Sequence, residues 1–262
     1  QGYSDVALLL AGVPDEEGNN ALCRAAHTGS DALLKQLLTA KASLNVRNHA
    51  GFTPLMLAVC RGDPVIVSAL IEAGASLDDH SLHGYSAAAL ATQHDHVEVL
   101  RVLLAAKALC SVADNSGHTL LQLAIDEQRV GAAQVLANVT DDDGNTALAV
   151  AARKGDEHQV KLLLTAKAAT DRANVDSKTP LVLAIEHGHM GVAQILVNAG
   201  ADVDVADPRI GATILMTAAS NGHADLMHSL IAVKANVKAT DNTHKSAIHY
   251  AAVNNESHAV RI

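Results

Sequence analysis

The amino-acid sequence predicts an all-α fold, a solenoid of short helix–turn–helix units stacked one on the next. Three observations predict it. A glycine-centred position recurs with a period near 33 residues. An alanine recurs in strict register behind it. The helices implied between these markers are too short to persist alone in water, so they need neighbours to lean on.

Gly18, Gly51, Gly84 and Gly117 are each 33 apart; Gly144 follows after 27, Ser177 after 33, Gly211 after 34 and His244 after 33. Two residues past these anchors stand Asn20, Thr53, Ser86, Thr119, Thr146, Thr179, Thr213 and Ser246. A small hydroxyl or amide there is a natural helix N-cap. Pro54 and Pro180 follow at the first helical position, where a missing N–H costs nothing. Seven residues past the anchors stand Ala25, Ala58, Ala91, Ala124, Ala151, Ala184, Ala218 and Ala251. That uniformity predicts helices of adjacent units in close approach, where a larger side chain would overpack the contact. Glycine then recurs at Gly29, Gly62, Gly155, Gly188 and Gly222 and ends the first helix. A second helix with Leu, Ile and Val at helical spacing follows, as in Val160 with Leu162, Leu163 and Leu164.

Composition agrees. The chain is 49% hydrophobic but only 2% aromatic, so Leu, Ile, Val and Ala must fill the core. Ala and Leu favour helix over strand. Five prolines and 18% charged residues argue against a disordered or collagen-like chain. The formal charge is −9, divided as −6 over residues 1–140 and −3 over residues 141–262. Neither half is a basic module, so nucleic acid is a poor partner on average. No apolar run approaches the roughly 18 residues needed to span a bilayer. The run Val6 to Leu10 follows Asp5 and has no basic flank, so it does not read as a signal peptide. Cys23, Cys60 and Cys110 lie far apart with no C-x-x-C pair, which suits a reducing, intracellular and most simply cytoplasmic setting.

The pattern resembles the ankyrin repeat. The resemblance is carried by Gly51-Phe52-Thr53-Pro54-Leu55-Met56-Leu57-Ala58, Thr179-Pro180-Leu181, Gly188-His189, Gly222-His223, Gly74-Ala75 and Gly200-Ala201-Asp202-Val203-Asp204. It implies a curved array of antiparallel helix pairs from which loops or β-hairpin fingers project at right angles. Asp15, Asn48, Ser81, Asp114, Asp141, Asn174 and Asp241, three before their anchors, suit the turn at each fingertip. The expected organisation is one array over 1–262: a helix or cap in 1–14, then repeats at 15–47, 48–80, 81–113, 114–140, 141–173, 174–206, 207–240 and an incomplete 241–262. The fourth is six residues short, and its finger is expected to be short or absent. The spacing of 34 places one extra residue near Asp207-Pro208. The chain opens without Met and stops inside its last unit, which predicts a segment of something larger.

After the second helix the family pattern wants Gly in a left-handed cap. Gly74 and Gly200 fit, but Lys41, Lys107, Lys167 and Lys234 depart from it. A non-Gly residue there costs roughly 1 kcal/mol, and a cation near a helix C-terminus recovers ~0.5 kcal/mol. The lysines read either as tolerated surface substitutions or as a row facing an acidic partner.

Chemistry is not apparent. Fifteen histidines invite a metal reading, but there is no H-E-x-x-H, and His94-x-His96 and His187-x-His189 straddle turns. His96, His189 and His223 share a register in which the resemblance implies a structural role, tying neighbouring turns. Protonating all fifteen would carry the formal charge from −9 to +6, so binding or solubility is expected to depend on pH near 6.5. Asp141-Asp142-Asp143 lacks the alternation and closing Glu of a Ca²⁺ loop. No G-x-S-x-G, G-x-x-x-x-G-K-[ST] or G-x-G-x-x-G occurs. No cofactor, metal or catalytic residue is expected.

By the resemblance, partners lie against fingertip residues and the exposed end of each first helix, on the concave face. Those positions select His49, Phe52, Arg61, Leu82, His83, Tyr85, Gln93, His94 and His118, bordered by Asp126, Glu127 and Arg153. Phe52 and Tyr85 are two of only four aromatics, and exposed aromatics are expected binding hot spots. The expectation is a non-catalytic scaffold, adaptor or inhibitor that binds a protein, as a monomer or within a larger complex. The alternatives are a docking or regulatory segment of a larger enzyme, channel or ubiquitin-ligase subunit, and a structural subunit of an assembly.

Overall fold

A side-chain oxygen two residues past seven of the eight anchors caps a helix; Ser246 instead lies against the His249 ring at 2.8 Å. Asn20 accepts from the Cys23 N–H at 2.8 Å, Thr53 from Met56 at 3.3 Å, Ser86 from Ala89 at 3.2 Å and Thr146 from Ala149 at 3.2 Å. Thr119, Thr179 and Thr213 cap in the same way. The structure, a computed structural model, describes residues 12–108 and 119–254. Among these residues are fifteen helices and no strands, only three isolated bridges. This is the all-α class that the sequence predicts. The expected helix within 5–12, Cys110, Asp114, Gly117 and His118 lie outside the described residues.

The helices alternate as first and second members of a pair. They are α1 Ala21–Thr28, α2 Asp31–Thr39, α3 Pro54–Arg61, α4 Pro64–Glu72, α5 Ala87–Gln93, α6 Val97–Ala105, α7 Leu120–Asp126 and α8 Val130–Ala137. They continue as α9 Ala147–Lys154, α10 Glu157–Thr165, α11 Pro180–Glu186, α12 Met190–Asn198, α13 Ile214–Ser220, α14 Ala224–Ala232 and α15 Ala247–Val253. None exceeds nine residues, so each depends on its neighbours for stability.

The chain divides into two compact units, Gln1–Leu136 and Ala137–Ile262. In the first, α1, α3, α5 and α7 pack in sequence, with α2, α4 and α6 stacked beside them. In the second, α9 packs on α11 and α13 on α15, with α10, α12 and α14 stacked beside them. The registered alanines lie at the first-helix contacts. Seven of the eight are fully buried, and Ala151 is 4% exposed. Second helices bury residues three and four apart, such as Ile66, Val67 and Leu70, or Val160 and Leu163.

Backbone handedness explains the glycines and extends past them. Gly29, Gly62, Gly155 and Gly188 end first helices with φ between 75° and 78°. Asp95 and Gln128 hold the same place with φ 53° and 56°, though neither is glycine. Lys41, Lys107, Lys167 and Lys234 are left-handed at φ 58°, 62°, 56° and 67°, matching Gly74 and Gly200.

The shortened fourth unit departs from expectation. Its turn at 141–145 is intact and is closed by a Thr140–Thr146 bridge. The missing residues come from the stretch that elsewhere leads from the second helix to the turn. The turn survives because it is specified locally: Asp141 Oδ1 accepts from the N–H groups of Asp143 and Asn145, and Gly144 supplies φ 76°.

Candidate functional site

The tips are built from one recurring turn. An Asp, Asn or Ser accepts backbone N–H groups from the next residues of the turn, and a left-handed anchor closes it. Asn48 Oδ1 accepts from Ala50 at 3.1 Å and Phe52 at 2.9 Å; Ser81 Oγ accepts from Tyr85 at 3.2 Å. Asp15, Asp141, Asn174 and Asp241 follow the same scheme.

These bonds hold four tip carboxylates below the usual range. Asp15 is lowered chiefly by the Asn19 N–H, and Asp207 by the Arg209 N–H. Desolvation pushes Asp141 up, but the bonds from Asn145 and Asp143 outweigh it. Asp241 is lowered most, first by the Tyr250 hydroxyl, which donates to Oδ2 at 2.6 Å.

Successive tips are joined by backbone. The His49 N–H donates to Glu17 O at 2.9 Å, Leu82 to Ala50 O at 3.1 Å, Val175 to Asp143 O at 3.0 Å and Asn242 to Ile210 O at 3.0 Å. Side chains add a second tie: Asn48 Nδ2 donates to Asn19 Oδ1, and Asn174 Nδ2 to Asn145 Oδ1, both at 2.9 Å. Tight approach at this seam also requires glycine. A Cβ on Gly51 would lie 2.7 Å from the Leu82 nitrogen.

On this framework the sequence-selected residues fall as follows. Phe52 and Tyr85 occupy one position in consecutive tips and are half-buried. Their carbonyls accept from Asn48 and Ser81, which fixes the backbone beneath them. His49, His83 and Leu82 are exposed beside them, Leu82 at 71%. Arg61 reaches back over Gly29, with Nη1 3.4 Å from His27 O. The His94 ring stacks on His96 with centroids 5.6 Å apart, and Gln93 is half-buried beside it on α5. Asp126 accepts from Gln122 at 2.7 Å, and Glu127 pairs with Arg129 at 3.5 Å. The structure thus brings His49, Phe52, Leu82, His83 and Tyr85 onto neighbouring tips of one unit. Arg153 belongs to the other unit, and His118 lies outside the described residues.

Two shared-register histidines tie turns together. His96 Nε2 lies 3.2 Å from Cys60 O, and His189 Nε2 lies 3.1 Å from Arg153 O, so each must donate from that nitrogen. Burial pushes the Cys23 and Cys60 thiols up. Among the described residues no group of three or more His, Cys, Asp or Glu side chains is placed to hold a metal. No described helix is long and apolar enough to cross a membrane.

One further region lies away from the positions that the sequence selects. A cavity of about 510 Å³ lies in the second unit between the tips at 174–178 and 207–212. The spacing of 34 and Pro208 were its visible signals.

A family model described as ankyrin repeats (3 copies) matches residues 1–81, 133–207 and 204–262. Neurogenic locus notch homolog protein 1 of Homo sapiens is 40% identical over 127 residues, 48% of this chain and 5% of that protein. The protein of that name in Xenopus tropicalis is 30% identical over 84% of this chain and 7% of its own length. A transient receptor potential cation channel subfamily A member 1 homolog of Caenorhabditis elegans is 27% identical over 66% of this chain and 15% of its own length. The solved ankyrin repeat domain of Bcl-3 aligns over 94% of this chain and all of that one, at 25% identity and a TM-score of 0.44. The chain therefore spans a small part of these curated relatives.

Proposed function

The chain belongs to the ankyrin-repeat family, and from that premise we propose that it is a non-catalytic recognition array that binds a protein partner through its tips. Ankyrin repeats are in general protein-interaction modules. One observation carries the assignment of the surface. Phe52, Leu82 and Tyr85 stand on tips whose backbones are fixed by caps and by tip-to-tip bonds. Binding to a surface already ordered costs little conformational entropy. Arg61, Gln93 and His94 extend this surface, with His49, His83 and His118 among the tip residues and Asp126, Glu127 and Arg153 at its borders.

The reading extends to a scaffold, adaptor or inhibitor built as one array of eight repeats, acting inside the cell and holding its partner on the concave side. Affinity capture with the intact chain followed by crosslinking tests it. Crosslinks should cluster on the tips at 48–53 and 81–86. Crosslinks confined to second helices would count against it.

A second reading is favoured by the small share of each relative that is matched. On this reading the chain is the docking or regulatory segment of a longer protein, such as a membrane protein or channel. The mass of the intact gene product separates the two.

A further inference from the structure

Five pairs of neighbouring tips are fully described, and four carry the backbone bond that joins one tip to the next. The exception joins the tip at Asn174 to the tip at Asp207. The residue that should donate there is Pro208, which has no N–H. Among the described residues no N–H reaches the Asp176 carbonyl. The tip itself is also one residue wider. Gly211 closes on Asp207 four residues back, whereas Gly51 and Gly144 close on the residue three back. The helices differ at this junction too. At each other described junction within a unit the first helices pack on each other, but α11 and α13 make marginal contact at most.

The opening is the cavity of about 510 Å³. Its apolar wall includes Val182 and Ile185 of α11 and Ile214 of α13. Its cations are already matched within the chain. Lys178 Nζ pairs with Glu186 at 2.7 Å, and Arg209 with Asp207 at 3.5 Å. The Asp176 carboxylate is exposed and has no ion pair among the described residues. One residue thus leaves at the cleft both a backbone acceptor without a donor and a negative charge without a cation.

We infer that this cleft between the sixth and seventh repeats binds an extended polypeptide segment carrying an aliphatic side chain beside a basic one. Three features set that chemistry. A backbone N–H of the segment takes the place of the one Pro208 lacks and donates to Asp176 O. The aliphatic side chain enters between α11 and α13, against Val182, Ile185 and Ile214. The basic side chain pairs with the Asp176 carboxylate. The site lies wholly in the second unit and is independent of the Phe52 and Tyr85 surface.

The test uses the intact chain and a phage-displayed library of random dodecapeptides as the probe. Enriched peptides should share an aliphatic–basic pair and shift the NMR signals of Val182, Ile185 and Ile214. Replacing Pro208→Ala and deleting Ile210 rebuilds the regular tip with its N–H, and should weaken those peptides by about tenfold or more. Asp176→Asn leaves the backbone untouched and should weaken them by roughly fivefold or more. Circular dichroism checks that both variants keep the helices. The inference fails if no peptide is enriched, if the enriched peptides are acidic or map elsewhere, or if both folded variants bind them as the parent does.

Discussion

The side-chain amide of Asn174 donates to Oδ1 of Asn145, 2.9 Å away on the neighbouring tip, and Asn48 repeats the bond to Asn19. The same two asparagines also organise their own turns through Oδ1. Asn174→Asp keeps the turn-forming oxygen but removes the donor that crosses the seam. It also sets a carboxylate against the Asn145 oxygen. The variant should lose about 1 kcal/mol, read from its urea midpoint. An unchanged midpoint would show that the seam bond adds nothing.

Ala184 is fully buried on α11, at the register shared by all eight units. Leu at that position adds three carbons to a closely packed first helix. Ala184→Leu should destabilise by ~1–3 kcal/mol, seen as a lower thermal midpoint with helicity kept at low temperature. Retained stability would mean that the register is not close-packed.

Lys167 is left-handed at φ 56° and exposed. Glycine relieves the strain of a Cβ in that conformation but gives up the cation near the end of α10. Lys167→Gly should therefore stabilise by roughly 0.5 kcal/mol net. Lys167→Val should destabilise, because branching at Cβ worsens the strain. Equal midpoints for both variants would dismiss the strain account.

Asp241 is held below the usual carboxylate range, first by the Tyr250 hydroxyl and then by its own turn. A lowered folded value means that its contribution is complete above the unfolded value of about 3.9. That contribution fades as the pH falls below it towards the folded value. Asp15, Asp141 and Asp207 are shifted in the same direction. Urea midpoints should be level from pH 7 to about 5 and then fall towards pH 2. Asp241→Asn should be less stable at neutral pH and show a shallower fall. A parallel fall in both proteins would remove Asp241 from the account.

The framework was legible in the sequence because it is made of local, repeated chemistry. Thr53 caps α3 and Ala58 fills its contact, as their spacing from Gly51 predicts. Left-handed Asp95 and Gln128 lack the glycine that marks the other units; Asp enters positive φ more readily than most residues, but for Gln128 only its place eleven after the anchor signals it. Asp95 also does work outside its own turn: its Oδ1 accepts from the Ala132 N–H at 2.7 Å. The intact turn at Asp141 was hidden by a deletion that seemed to remove it. The Pro208 cleft was half legible. The extra residue and Pro208 show in the sequence, but the gap between α11 and α13 lies between residues far apart in it and has no local mark.

On the proposed function, stacking fixes the framework and leaves the tips available to hold another protein. The most direct measurement compares folding with capture in a Phe52→Ala/Tyr85→Ala variant, using a partner first isolated with the intact chain. Helicity should be unchanged, the urea midpoint should still mark a folded array, and capture should be lost. A folded variant that still captures the partner as the parent does would contradict it.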